Sequence, residues 1–316
     1  MRNILSALLL ALVCFVPQLR AQTHPAYGFL AGSDDYPLLL NHLVSFDLDT
    51  ETTQITDVMT YSGYTTAADW VDGKYYVAGS KVVASGEIPD MLMIFDLKNG
   101  QFSSVAPITG INRFINDMAY DNSRKKMYAV ARLSPTDATS NHALYTIDLT
   151  TGVATKIGSD LGRRIATLAC SYDGELYAVD ALGVFCSIDP AAGTLEEIGN
   201  TGVVPSGRNS MTFDHSTGTL YWTCMYRKTG DYMEMDISDL RTIDVESGQS
   251  FSLKSTGSNT QISGLYIPYS AAASNAPAHV SDFLVTPGAS GANTATITWT
   301  NPTKLFGGGN GKPRRG

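Results

Sequence analysis

The chain has 316 residues, 43% of them hydrophobic and 16% charged, with a formal net charge of −8. That length holds one large domain, or a medium domain plus a fragment, and the composition excludes a disordered chain. The acidic balance excludes nucleic acid as a general partner, because phosphate binding needs a basic surface.

Met1-Arg2-Asn3 is a short basic start, Ile4 to Val16 is an apolar run of signal-core length, and Ala21 offers a small residue for cleavage. Residues 1–21 are therefore read as a signal peptide and the protein as exported, either secreted or held at the cell surface. The apolar run is too short to span a bilayer, and no other segment approaches that length. Val13 before Cys14 is too large for a lipoprotein cleavage box. Three cysteines then remain, Cys170, Cys186 and Cys224. An odd set cannot pair fully within one chain, and they are read as buried small apolar side chains.

From residue 26 a pattern recurs: VSFDLDTE, MIFDLKNG, YTIDLTTG, CSIDPAAG and RTIDVESG. Its aspartates, Asp47, Asp96, Asp148, Asp189 and Asp244, are 41 to 55 residues apart, the period of propeller blades. Each motif is a strand, a tight turn and another strand. The carboxylate bonds backbone N–H groups two residues on, and the glycine supplies positive φ, so these aspartates are turn formers and not catalytic acids. A second hairpin precedes the motif in most units, as in AADWVDGKYYVAG and TLACSYDGELYAVD. Each unit is four antiparallel strands, a to d from the axis outward. Five c–d turns stand against four a–b turns. AYGFLAG near the start is an unpaired strand b, and QISGLYIPY, residues 261–269, an unpaired strand a. Pairing the last strand with the first closes a ring and protects its edges. The expected fold is all-β, a five-bladed β-propeller over residues 22–269; a weakly patterned sixth blade is the alternative.

Through blade motifs such as GELYAVD and LYTIDLTTG, residues 26–269 resemble secreted bacterial β-propellers of the YVTN and quinoprotein-like type. The resemblance implies the fold and leaves function open, since propellers host lectins, hydrolases, lyases and scaffolds. Residues 270–279 form a small-residue linker. Residues 280–316 begin with VSDFLVTPGASGANTATITWTNP, which resembles the first two strands of a fibronectin type III domain, with Trp299 in the place of the buried tryptophan. That sandwich needs about 100 residues, so the segment is read as incomplete and Trp299 as lacking a core.

The five histidines, His24, His42, His142, His215 and His279, are scattered. The chain contains no HExxH, CxxC, GxSxG or DxDxDG pattern. No cofactor, metal site or catalytic residue is assigned. Tyr76, Tyr128, Tyr177 and Tyr221 recur at one place in strand b and are read as inter-blade core. The a–b and c–d turns are short and share one face; the longer b–c and d–a loops share the other, where binding usually sits. Their acidic residues are read as a solvated surface before a cation site.

Three d–a connections bring arginine to the start of strand a: Arg113, then Arg163 with Arg164, then Arg208. Asn116, Asn209 and Ser263 fall in one aligned column just inside, and Asp117 follows Asn116. The candidate ligand-binding set at the channel mouth is Arg113, Asn116, Asp117, Arg164, Arg208, Asn209 and Ser263. The bland alternative has the arginines bonding loop carbonyls between blades. The expected function is non-catalytic binding of an extracellular glycan, peptide or protein, with acidic ligands suited to the arginines, by a monomer. The alternatives are a structural spacer of a longer surface protein, or a lactonase or glycan hydrolase using Asp117, Asn116 and Asn209.

Overall fold

The computed structural model describes residues 24–61, 63–81, 90–97, 99–111, 115–134, 137, 139–227, 237–269, 281–287 and 295–300. The signal-peptide reading, the linker reading and the position of Arg113 lie outside these residues.

The hairpin pattern becomes five antiparallel sheets. Blade 1 holds β1 (Pro25–Gly32), β2 (Leu43–Asp47) and β3 (Thr56–Met59), and a 3-10 turn, Pro37–Leu39, sits in its b–c loop. Blade 2 runs β4 (Gly63–Val71), β5 (Lys74–Lys81), β6 (Met91–Asp96) and β7 (Gln101–Pro107). Blade 3 runs β8 (Ile115–Asp121), β9 (Lys126–Arg132), β10 (His142–Ile147) and β11 (Ala154–Ile157). Blade 4 runs β12 (Ile165–Cys170), β13 (Leu176–Asp180), β14 (Val184–Ile188) and β15 (Leu195–Asn200). Blade 5 has β16 (Val204–Pro205), β17 (Ser210–Asp214), β18 (Thr219–Arg227), β19 (Ile237–Ile243) and β20 (Ser250–Ser255). The two-residue β16 extends this sheet on the side of β17 by pairing with Tyr226 and Arg227.

Closure follows the strand arithmetic. β21 (Gln261–Tyr266) is the innermost strand of blade 1 and pairs antiparallel with β1, joining Tyr27 to Tyr266 and Leu30 to Ile262. Beyond the ring, β22 (Ser281–Pro287) and β23 (Ala295–Thr300) form an antiparallel pair.

Burial explains the order of strands within a blade. Inner strands are packed on both faces by neighbouring blades, so all five residues of β17 are buried. Outer strands face water, and β15 has no buried residue. The apolar side chains form five clusters, one for each seam between neighbouring blades. Tyr128 is fully buried in the seam of blades 3 and 4, and Tyr177 stacks on Phe185 at 5.4 Å. Cys170, Cys186 and Cys224 are free and buried.

The repeated aspartates build turns. Asp148 accepts the N–H groups of Thr150 and Thr151, and Asp189 those of Ala191 and Ala192. These bonds hold both carboxyls below their ordinary range. Gly152 and Gly193 close the two turns with φ of 71° and 65°, which glycine adopts without a Cβ penalty.

Polar tethers cross the seams near the axis. Asp69 on β4 accepts the N–H of Tyr120 at 2.6 Å, Asp117 on β8 accepts that of Leu168 at 3.1 Å, and Ser210 on β17 accepts that of Leu265 at 2.8 Å. Farther out, Lys254 of blade 5 donates to the carbonyls of Leu48 and Thr50 in blade 1.

Inner strands run from the loop face to the turn face, and β1 runs back from the turn face. After β21 the chain crosses the turn-face end of the channel. There Asn122 of blade 3 donates to the Tyr269 hydroxyl at 2.9 Å, while Tyr172 of blade 4 and His215 of blade 5 meet the Tyr269 ring edge-on at 6.1 and 4.6 Å. Tyr269 stoppers that end.

Candidate binding site at the open channel mouth

The opposite end holds a cavity of about 330 Å³ lined by Asn116, Arg132, His142, Arg164, Arg208, Asn209 and Gln261, with Ile165, Ala166, Ala181, Pro205 and Gly207 between them. Each polar member sits where a strand begins or ends on the loop face: Asn116, His142 and Gln261 at the starts of β8, β10 and β21, and Arg132 at the end of β9. Arg164 and Arg208 precede β12 and β17. Blades 1, 3, 4 and 5 all contribute.

The arginines have different fates. Arg163 pairs with Asp180 at 2.6 Å and with Glu197, holding strands of blade 4 together. Arg164 is exposed at the rim and Arg208 half-buried below it. Among the described residues neither guanidinium of these two has a hydrogen-bond or ion-pair partner. Arg132 has an interaction of its own. Burial, and then the charge of Arg132, lowers the Arg208 guanidinium from its usual value, with Asp117 and Asp90 acting in the other direction. Bonding to a carbonyl of the next blade belongs to another arginine on the turn face: Arg124 donates to Gly174 O and to Asp121, both at 2.7 Å.

The neutral groups fix the floor and walls. The His142 Nδ1 accepts the N–H of Ile165 at 3.0 Å, which leaves the ring proton on Nε2. Burial, reinforced by the charges of Arg132 and Arg164, pushes His142 down to about 4, so the ring is neutral near pH 7. Asn116 Nδ2 donates to Ile165 O at 3.1 Å. Asn209 Nδ2 donates to Ser206 O at 2.8 Å and pins the loop that carries Arg208, and Gln261 Oε1 accepts the Arg208 N–H at 2.8 Å. Among the described residues no aspartate or glutamate lines the cavity.

Of the residues singled out from sequence, Asn116, Arg164, Arg208 and Asn209 therefore meet around one cavity. Asp117 and Ser263 do not line it. Asp117 is 1% exposed; its Oδ2 accepts the Thr167 hydroxyl at 2.6 Å and the Leu168 N–H, and its Oδ1 the Met118 N–H at 3.0 Å. Burial outweighs these bonds and raises its carboxyl to about 8. Ser263 is 2% exposed and faces Thr65 of blade 2, hydroxyl to hydroxyl at 3.4 Å. Arg132, His142 and Gln261 were not singled out. Their signal was position: each ends or begins a strand on the loop face. Among the described residues no group of three or more His, Cys, Asp or Glu side chains is placed to hold a metal ion, and no helix is long and apolar enough to cross a membrane.

No family model matches the sequence, and no curated protein matches it. Solved structures do. TolB from Acinetobacter baumannii is 14% identical, with 96% of this chain and 66% of that one covered and a TM-score of 0.47. A Bacteroides caccae protein of unknown function is 12% identical, with 79% of this chain and 100% of that one covered and a TM-score of 0.45. A Bacteroides thetaiotaomicron protein of unknown function, also 12% identical, has 67% of this chain and 55% of that one covered and a TM-score of 0.40. This chain thus spans little more than half the length of that last protein.

Proposed function

We propose that the chain is an exported, non-catalytic binding protein, a propeller of the YVTN and quinoprotein-like type followed by a fibronectin-like segment, that seats the anionic group of an extracellular glycan, peptide or protein in its channel-mouth cavity. The observation that carries this reading is the pair Arg164 and Arg208: two guanidiniums on one cavity, with neither a protein partner nor a lining carboxylate among the described residues. Arginine offers a planar fork of donors matched to carboxylate and phosphate oxygens, and a half-buried fork loses water without gaining a protein acceptor. Asn116 and Asn209 add neutral polar groups for ligand hydroxyls or amides. A spacer has no use for such a cavity. The carboxylate considered for hydrolysis, Asp117, is occupied in holding blades 3 and 4 together.

The test is titration of the parent protein and Arg208→Ala with polygalacturonate, a sulfated glycan and polyglutamate, with melting temperatures alongside. The parent is expected to bind at least one acidic polymer, and the variant to bind it about tenfold more weakly at an unchanged melting temperature. Failure of the parent to bind any of them, or a lowered melting temperature with unchanged binding, would overturn the reading.

A further inference from the structure

We infer that the cavity is built for two carboxylates at once, so that its preferred occupant is a compact dicarboxylate and not a single anionic group. This rests on the anion-binding reading above and narrows it. Charge matching comes first. Among the described residues Arg164 and Arg208 both lack protein partners and the lining contains no acidic side chain. One monocarboxylate would satisfy one guanidinium and leave the other facing a cationic cavity. Two negative charges satisfy both.

Placement comes second. Arg164 enters from the segment before β12 in blade 4, exposed at the rim, and Arg208 from the segment before β17 in blade 5, half-buried. Two forks on different blades and at different depths make two bidentate seats more naturally than one shared seat for a phosphoryl group. Size is the third point. About 330 Å³ is at the small end of ligand cavities, enough for a short acid and its hydration. Apart from the arginines, the lining is apolar or neutral and includes Ile165, Ala166, Ala181 and the His142 ring. That suits the hydrocarbon link between two carboxylates. It would not compensate an ammonium, which sets a dicarboxylate apart from an amino acid.

His142 supplies an independent readout. Its ring is kept neutral by burial and by the charges of Arg132 and Arg164. A bound dianion cancels part of that field, so the imidazole titration should move upward when the cavity fills, while His215 on the turn face stays where it is.

The experiment is calorimetric titration of the full chain with malonate, succinate, glutarate, acetate and inorganic phosphate, together with histidine resonances followed by NMR through an acid titration. One of the three dicarboxylates is expected to bind at least about tenfold more tightly than acetate, the contribution of one further charge-assisted pair. That preference should shrink towards unity in both Arg164→Ala and Arg208→Ala, and the His142 titration should rise with the best acid. The comparison of acids uses the parent alone, so it stands even if a variant folds poorly. Equal affinity for acetate and the best dicarboxylate, or phosphate binding more tightly than all three, overturns the two-seat inference and leaves the anion-binding reading in place. If none of these small anions binds but an acidic polymer does, the two-carboxylate inference falls and the anion-binding reading stands on the polymer. If neither small anions nor acidic polymers bind, both fall.

Discussion

The Asp117 carboxylate on blade 3 takes the Thr167 hydroxyl of blade 4 at 2.6 Å, at the inner edge of the seam between the two blades. The same carboxyl, 1% exposed, is raised to about 8 by burial, and Asp69, one blade earlier, is raised to about 7 for the same reason. Both sit where inner strands meet, so their protonation bears on ring stability.

The sign follows from linkage. An unfolded aspartate titrates near 3.9, so over the interval up to about 8 the folded state holds more protons than the unfolded one. The stability contributed by the neutral form is complete below that interval and is lost as the pH rises through it. The buried histidines His142 and His215, both lowered to about 4, act oppositely below about 6.5. Between pH 6.5 and 8.5 the melting temperature should therefore fall, and fall less in Asp117→Asn. Calorimetric melts across that range check it; an identical slope in the two proteins contradicts the assignment.

Asp117→Asn should also cost about 1–3 kcal/mol at pH 7, because one amide N–H₂ must then face a backbone or hydroxyl donor that the carboxyl accepted. Denaturant midpoints with an unchanged m-value measure it.

Much of this architecture was legible in the chain. The recurring Asp-x-x-x-Gly turn fixes c–d hairpins at Asp148–Gly152 and Asp189–Gly193, and the spare strands at the two ends of the repeat region demanded each other. Details set by bulges were not legible. β4 begins at Gly63, earlier than the alternation from Ala67 suggested, because a register shift lies between Thr65 and Ala67. The site was half visible. Arg164 and Arg208 follow from strand direction, but Asn116 and Asp117 are neighbours on a strand and face opposite sides, so only the first reaches the cavity. Arg132, His142 and Gln261 come from different strands and blades, and no local pattern joins them.

Gly264 tests closure. It lies mid-way along β21 with φ of 60°, and a Cβ there would come within 2.6 Å of the Ala68 Cβ in blade 2. Gly264→Ala should destabilise the ring by about 1–3 kcal/mol, combining backbone strain with overpacking. Removing residues 261–269 should go further and abolish the single cooperative transition, since blade 1 would lose its inner strand. A truncated protein melting at the parent midpoint would contradict closure.

The two neighbouring arginines should separate cleanly. Arg163→Ala removes the pairs with Asp180 and Glu197 and is expected to lower stability by about 1 kcal/mol without changing the binding of acidic ligands. Arg164→Ala should do the reverse. Thermal melts and titrations of both proteins decide the matter.

Cys170 on β12 and Cys186 on β14 have β13 between them, about two strand spacings or roughly 9–10 Å, beyond disulfide reach. Burial raises all three thiols, Cys186 to about 11. Alkylation of Cys170, Cys186 and Cys224 in the native protein should be slow, with all three labelled on denaturation and no gain on prior reduction, as read by mass spectrometry of their peptides.

The Tyr269 stopper has a consequence for how the molecule is held. The described chain enters the ring at Pro25 and leaves it at Tyr269, both on the stoppered face, while the arginines look out from the other. Anything joined before the first strand or after the last departs on the far side of the disc from the cavity. Attachment and the arginine-lined cavity therefore occupy separate poles. A propeller anchored through either end keeps its open mouth turned toward the surrounding medium, and a surface-coupled preparation should bind as the free protein does.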